Sequence, residues 1–289
     1  MNLALDELRA FLQTAERGTI SAAARELGVS QPTLSWTIRK LEQRFATQLF
    51  VRSKQGVRLT RPGELLVSRS RELLRQWEQL EIALRDESEI VRGTYSIGVY
   101  PSLAEHSLPL FLPELLARWP ELELDIGHDF SRRIAEDVIA FRYDYGIVVN
   151  PPRHPDLTIV ELYQDEIGFW QAEGSDWRLD QPRLPVIYNP NMMHIETLIT
   201  QLKAKGLLPD CRFVHSSDLR LISRLIAANG GVGILPDTVA ETEHTRALRP
   251  CADSPTFRDT ITLIWRSDAQ FSTASKQIRE AIRLALARE

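Results

Sequence analysis

The sequence predicts an α + α/β chain: a small helical head carrying a β-hairpin, one long linking helix, and a two-lobed body of alternating strands and helices. Three observations lead there. Apolar residues in the first 45 positions recur at helical spacing with short breaks, an amphipathic run of about 25 residues follows, and from residue 93 strand-like and helix-like segments alternate. A length of 289 residues with 43% hydrophobic and 26% charged side chains supports a sizeable core and excludes a disordered, collagen-like or small disulfide-scaffold chain.

Leu5, Leu8, Phe11, Leu12 and Ala15 form one buried stripe, which predicts a first helix. After Gly18, Thr19 can cap a second helix through Ser21 to Leu27, whose alanines allow close helix approach, and Gly28 stops it. Ser30 caps a third, Pro32 sits in its first turn where a missing N–H is harmless, and Leu34, Ile38, Leu41 and Phe45 are its inward stripe. Leu49 to Thr60 makes two short extended runs around Lys54-Gln55-Gly56, a hairpin wing. Helix, tight turn, helix and wing together read as a winged helix-turn-helix.

Past Thr60-Arg61-Pro62-Gly63, the residues Leu66, Ser70, Leu73, Trp77, Leu80 and Leu84 alternate steps of four and three. Some 25 helical residues span roughly 37 Å at about 1.5 Å per residue, so this one-sided rod is expected to pair with a second copy. Strands are predicted at 94–100, 122–127, 144–149, 184–188 and 212–215, with helices between them and a last helix at 273–287. The alternation favours a mainly parallel sheet.

The formal charge of −4 hides an asymmetry. Residues 1–63 hold ten Lys/Arg against five Asp/Glu, whereas the remainder holds 25 against 34. A +5 head on a −9 body fits a polyanion-binding head, or ordinary solvated surface where no motif accompanies it. A motif does accompany it. At 100° per residue, the face of the third helix opposite its apolar stripe carries Trp36 and Arg39, with Gln31, Thr33 and Ser35 beside them. An outward indole on a short basic helix suits docking in a DNA groove. Gln31 can bond bidentately to adenine, Thr33 and Ser35 can reach base edges or phosphate, and Arg39, Arg52, Lys54 and Arg58 suit phosphate or minor-groove contact.

These strings closely resemble the LysR-type transcriptional regulators: Ser21-Ala22-Ala23-Ala24-Arg25-Glu26-Leu27-Gly28-Val29-Ser30-Gln31-Pro32-Thr33-Leu34-Ser35, then Leu49-Phe50-Val51-Arg52, Leu59-Thr60-Arg61-Pro62-Gly63 and the late Val232-Gly233-Ile234-Leu235-Pro236. The resemblance implies a dimerising linker helix and a two-lobed effector domain like periplasmic solute-binding proteins. It assigns Gln31, Pro32, Ser35 and Trp36 to the major groove and Arg52 with the turn after it to backbone or minor groove, and Ser30 beside them is a further candidate for DNA contact. Two positions depart from the family pattern: Trp36 stands where a basic residue is usual, and Ala46 where a glycine is common. Trp36 offers apolar contact to a thymine methyl or sugar rather than a fork to guanine.

The resemblance also places a small ligand between the lobes, at strand ends and the helix starts that follow. Here those are Tyr100 and Ser102, His128 and Ser131, Asn150, Tyr188 and Asn189, and Ser216. Helix N-termini favour anions, so a carboxylate-bearing metabolite is the expected effector, although serines there also suit simple capping. The expected organisation is a head at 1–63, a linker helix at 64–88 and an effector domain at 89–289, with lobe I at 93–163 and 265–289 and lobe II at 164–264. A homodimer or homotetramer acting on double-stranded DNA is expected.

Enzyme motifs are missing: there is no Gly-x-Ser-x-Gly, no His-Glu-x-x-His and no phosphate loop, so no catalytic residue, cofactor or metal is expected. With no run of about eighteen apolar residues and no secretory leader pattern, a cytoplasmic chain without membrane contact is expected. Cys211 and Cys251 suit a reducing compartment, and redox sensing through them remains an alternative, as does an architectural DNA binder without ligand input.

Overall fold

The computed structural model describes residues 5–53, 55–85, 91–241, 248–269 and 273–287. Lys54 lies outside them, as does the side chain of Leu84. The chain forms two compact units, one of residues 1–90 with 140–142 and one of the remainder.

In the first unit α1 (Leu5–Arg17), α2 (Ile20–Glu26) and α3 (Gln31–Phe45) surround a core of Ala10, Phe11, Ala23, Leu34, Ile38 and Leu41. Thr19 Oγ1 accepts from Ala22 N at 3.2 Å and Ser30 Oγ from Thr33 N at 3.2 Å, the expected caps of α2 and α3. Buried Glu7 draws α1 onto α3 through Lys40 Nζ at 2.6 Å and Arg44 Nη1 at 2.7 Å. The α3 C-cap, Ala46, holds φ 48° and ψ 36°, a left-handed conformation that a side chain disfavours. That turn leaves Phe45 42% exposed, so the inward stripe ends at Leu41.

The wing pairs β1 (Phe50–Ser53) antiparallel with β2 (Gly56–Leu59). Glu42 Oε1 accepts from Leu49 N and Phe50 N at 2.9 and 3.3 Å, fixing the chain's exit from α3. Gly56 has φ 129° and stands so close to Gly18 that a Cβ would fall 2.3 Å from its carbonyl oxygen, so only glycine docks the wing here. Helix α4 (Arg61–Arg85) then runs for 25 residues. Leu66 and Ser70, counted above in one seam, turn toward the head: Leu66 packs against its core and Ser70 is buried. Leu73, Trp77 and Leu80 stay exposed.

In the second unit the described residues form a nine-stranded mixed sheet, not a mainly parallel one. Its strands are β3 (Gly93–Val99), β4 (Leu122–His128), β5 (Tyr145–Val149), β6 (Leu157–Ala172), β7 (Pro185–Tyr188), β8 (Arg212–His215), β9 (Val232–Pro236), β10 (Leu248–Pro250) and β11 (Phe257–Arg266). Along the sheet the order is β4-β3-β5-β11-β6-β9-β7-β8, with β10 on β6. The β3/β4/β5 and β7/β8/β9 groups are parallel, as the alternation predicts. The antiparallel strands β6, β10 and β11 escape it because acidic residues such as Glu161, Asp165 and Asp259 interrupt their apolar runs.

Strand β6, with 16 residues, and β11 pass through both lobes, with a register shift at Ile261/Thr262. Helices α5 (Pro101–Arg118), α6 (Ser131–Ile139) and α10 (Thr273–Leu286) cover one lobe. The other is covered by α7 (Ile195–Ala204), α8 (Leu219–Ala227) and the short α9 (Asp237–Ala240). At Gly233 a Cβ would meet Ile226 Cδ1 at 2.1 Å, so the glycine of the Val232–Pro236 string lets α8 lie down on β9.

Candidate DNA-reading face and effector cavity

Helix α3 buries Leu34, Ile38 and Leu41 and turns Gln31, Pro32, Thr33, Trp36 and Arg39 to the surface. Trp36 is 63% exposed, and Lys40 Nζ lies 5.3 Å from its ring centroid, which braces the indole without burying it. Ser30 Oγ and Thr33 Oγ1 stand 2.7 Å apart, so these two hydroxyls are first of all a helix cap. Ser35 is half-buried, and Arg52 Nη1 on the wing reaches to 3.4 Å from its Oγ, joining helix and wing at one edge. Arg58, also on the wing, is exposed. One rigid element thus presents an amide, two hydroxyls, an indole and a guanidinium on one convex face. Convexity and positive charge suit a groove lined with phosphate rather than a small molecule.

The second unit holds a cavity of about 800 Å³ where β6 and β11 cross between the lobes. Tyr100, Ser102, Ser131 and Asn150 line it, four of the eight residues that strand-end reasoning proposed. Ser131 Oγ accepts from Val149 N at 3.0 Å and so ties α6 to the end of β5 instead of capping its own helix. Asn150, at φ 43°, clasps β11: its Nδ2 donates to Asp259 Oδ1 at 2.6 Å and its Oδ1 accepts from Thr260 N at 2.9 Å.

His128, Tyr188, Asn189 and Ser216 are not among the residues that line this cavity. His128 is exposed at the end of β4, the far edge of the sheet. Tyr188 packs edge-on against Phe213 and His215 at 5.6 and 4.8 Å. Asn189 is fully buried, with Nδ2 donating to Ser217 O at 3.3 Å and Oδ1 accepting from Asn191 N at 2.9 Å, and Ser216 Oγ accepts from Asp218 N at 3.1 Å. Proximity to a strand end does not separate groups that hold the next turn from groups that face the cleft.

The wall also includes residues that strand-end reasoning missed: Phe130, Met192, Met193, Asp165, Thr238 and Asp259. Single acids inside otherwise apolar strands were the available signal for Asp165 and Asp259. Burial pushes the Asp259 carboxyl up to about 6 against the hydrogen bond from Asn150, with the nearby Asp165 adding to the rise. Burial and the Asp259 charge raise the Tyr100 phenol. Asp237, beside the wall, is lifted to about 6 by burial and then by Asp165. An apolar cleft with a few convergent polar groups and displaced pKa values fits reversible binding of a small molecule.

A DNA-facing helical head and a ligand-sized cleft in one chain define a ligand-responsive DNA-binding regulator. The family models agree: residues 5–64 match the bacterial regulatory helix-turn-helix of the lysR family, and residues 88–287 match the LysR substrate binding domain. The chain belongs to the LysR family of transcriptional regulators. It is 26% identical over 289 residues to the dual regulator OxyR of Escherichia coli, covering 96% of this chain and 94% of that protein. It is 33% identical over 177 residues to the regulator BbuR of Bordetella bronchiseptica, a match spanning 61% of this chain and 54% of BbuR. Among solved structures, a full-length OxyR variant from Pseudomonas aeruginosa shares the fold at a TM-score of 0.74 and 22% identity, covering 99% of this chain and all of that one. Full-length CbnR in complex with its target DNA gives 0.64 at 22% identity, covering 98% of this chain and 100% of that chain. No helix among the described residues is long and apolar enough to cross a membrane.

Proposed function

We propose that this chain is a cytoplasmic, non-enzymatic homo-oligomer that reads duplex DNA with the outer face of α3 and the wing, and that a small effector in the inter-lobe cavity changes how it does so. The observation that carries this reading is the outward display of Gln31, Thr33, Trp36 and Arg39 from a helix whose other face is closed core. In it, Gln31 and Trp36 read bases, with Ser30, Pro32 and Ser35 at the same end of the helix, and Arg39, Arg52, Lys54 and Arg58 meet phosphate or the minor groove. Leu73, Trp77 and Leu80 form an exposed apolar strip on α4 that a second copy covers. Because β6 and β11 run through both lobes, ligand binding between them alters the lobe angle, and the oligomer then favours another half-site spacing and DNA bend.

Footprints and bend angles on a promoter recovered by genome-wide binding test the mechanism. They should differ with and without a metabolite that raises the melting temperature, and identical footprints and bends at saturation would overturn it while leaving DNA binding intact. The redox alternative draws on relatives described as hydrogen peroxide-inducible activators, but burial pushes the Cys251 thiol up to about 12, which leaves little reactive thiolate.

A further inference from the structure

The inner end of the cavity carries two buried carboxylates at directly paired positions, Asp165 on β6 and Asp259 on β11. Asp165 accepts from Thr238 N at 3.2 Å and from the Thr238 hydroxyl. Asp259, only 8% exposed, is bonded at Oδ1 by Asn150, while its Oδ2 receives no hydrogen bond among the described residues. No Lys or Arg among the described residues forms an ion pair with Asp259; the field of His194, which stacks on Phe257 at 3.7 Å, reaches it. The basic groups of the wall, Arg132 and His154, are both exposed, and Arg132 is engaged by Glu136 at 3.3 Å.

A carboxylate withdrawn from water with one oxygen unbonded, next to a second acid, loses hydration, and an incoming cation relieves that penalty. Beside these polar groups the wall carries an apolar, adaptable part that includes the adjacent Met192 and Met193, Phe130 and Leu103. We propose that the effector is an organic cation whose ammonium, amidinium or guanidinium group donates to Asp259 Oδ2 beside Asp165, with its apolar body against Met192, Met193 and Phe130. This rests on the reading of the cavity as the effector site, and it replaces the carboxylate expected from helix N-termini: α5 and α6 do begin at the wall, but its buried charges are acids.

Benzylamine, benzyl alcohol and benzoate, equal in size and differing in charge, separate the possibilities when titrated into the full-length protein by thermal shift and calorimetry. Benzylamine should bind about ten- to a hundredfold more tightly than benzyl alcohol, as a charge-assisted hydrogen bond provides, and benzoate least. Asp259→Asn should abolish the preference for the amine over the alcohol, and Asp165→Asn should weaken it, each in a protein still folded by circular dichroism. Benzoate binding as well as or better than benzylamine, no benzylamine binding at all, or a preference that survives both substitutions would overturn the cation assignment. Ser102→Trp, which projects an indole into the cavity and obstructs it, tests the underlying reading separately. Ligand shifts that persist in it place the effector site elsewhere, whereas shifts that vanish in it while benzoate wins in the native protein refute only the cation.

Discussion

The head and the cavity solve opposite problems with the same kinds of residue. The head displays polar and aromatic groups outward from one contiguous stretch, Gln31 to Arg39, over a core that is closed without them. The cavity turns polar groups inward and gathers them from positions as distant as Tyr100, Asp165 and Asp259, and burial displaces the pKa values of Tyr100 and Asp259. A surface built to meet phosphate can leave its charges in water. A pocket built to select a small molecule must withdraw them, and the penalty for doing so is the source of its selectivity.

The largest effect that sharpens this contrast should come from Ile38→Ala. Removing a fully buried side chain beneath the reading face should destabilise the head by about 3–4 kcal/mol, seen as an earlier calorimetric transition, with benzylamine binding at the cavity unchanged. Loss of both together would mean that the two regions are not energetically separate.

Next comes Asp259→Asn. The carboxyl titrates near 6 in the folded protein against an ordinary 3.8, so above pH 6 the folded state bears the full cost of a buried charge. That cost fades as pH falls from about 6 to 4, because the folded state takes up its proton first. The variant should therefore be about 2–3 kcal/mol more stable than the native chain near pH 8, with the gain vanishing toward pH 4. A gain that does not depend on pH would contradict the assigned environment.

Arg52→Ala should weaken binding to most DNA sequences by about 1 kcal/mol and lower the salt slope by about one counterion, read from titrations at several salt concentrations. The smallest effect is expected from Ala46→Gly. Relieving the left-handed alanine after α3 should add roughly 0.5–1 kcal/mol to the head's stability in chemical unfolding, and a loss would mean that Ala46 has packing value beyond its strained backbone.

The same contrast explains what was legible in the sequence. The head could be read because local rules fix it: Thr19 and Ser30 cap, Gly28 stops, and helical periodicity alone turns Trp36 outward. Part of the cavity could be read, because Tyr100, Ser102, Ser131 and Asn150 follow strands identified by their apolar runs. Asp165 and Asp259 come from β6 and β11, which lack clean alternation because they are buried on both faces and carry acids at the cleft. Their pairing across some hundred residues is a long-range event that no local window contains. The seam of α4 failed in part for a similar reason, since Ser70 answers to the head's packing and not to the heptad.

The central claim is that the outer face of α3 reads sequence. Quantitative gel shifts of the native chain, Gln31→Ala and Trp36→Ala, on the promoter recovered from the chromosome and on random duplex, test it most directly. The account predicts a loss of roughly 1–3 kcal/mol on the promoter with random DNA nearly unaffected. Equal losses on both, or none on either, would contradict it.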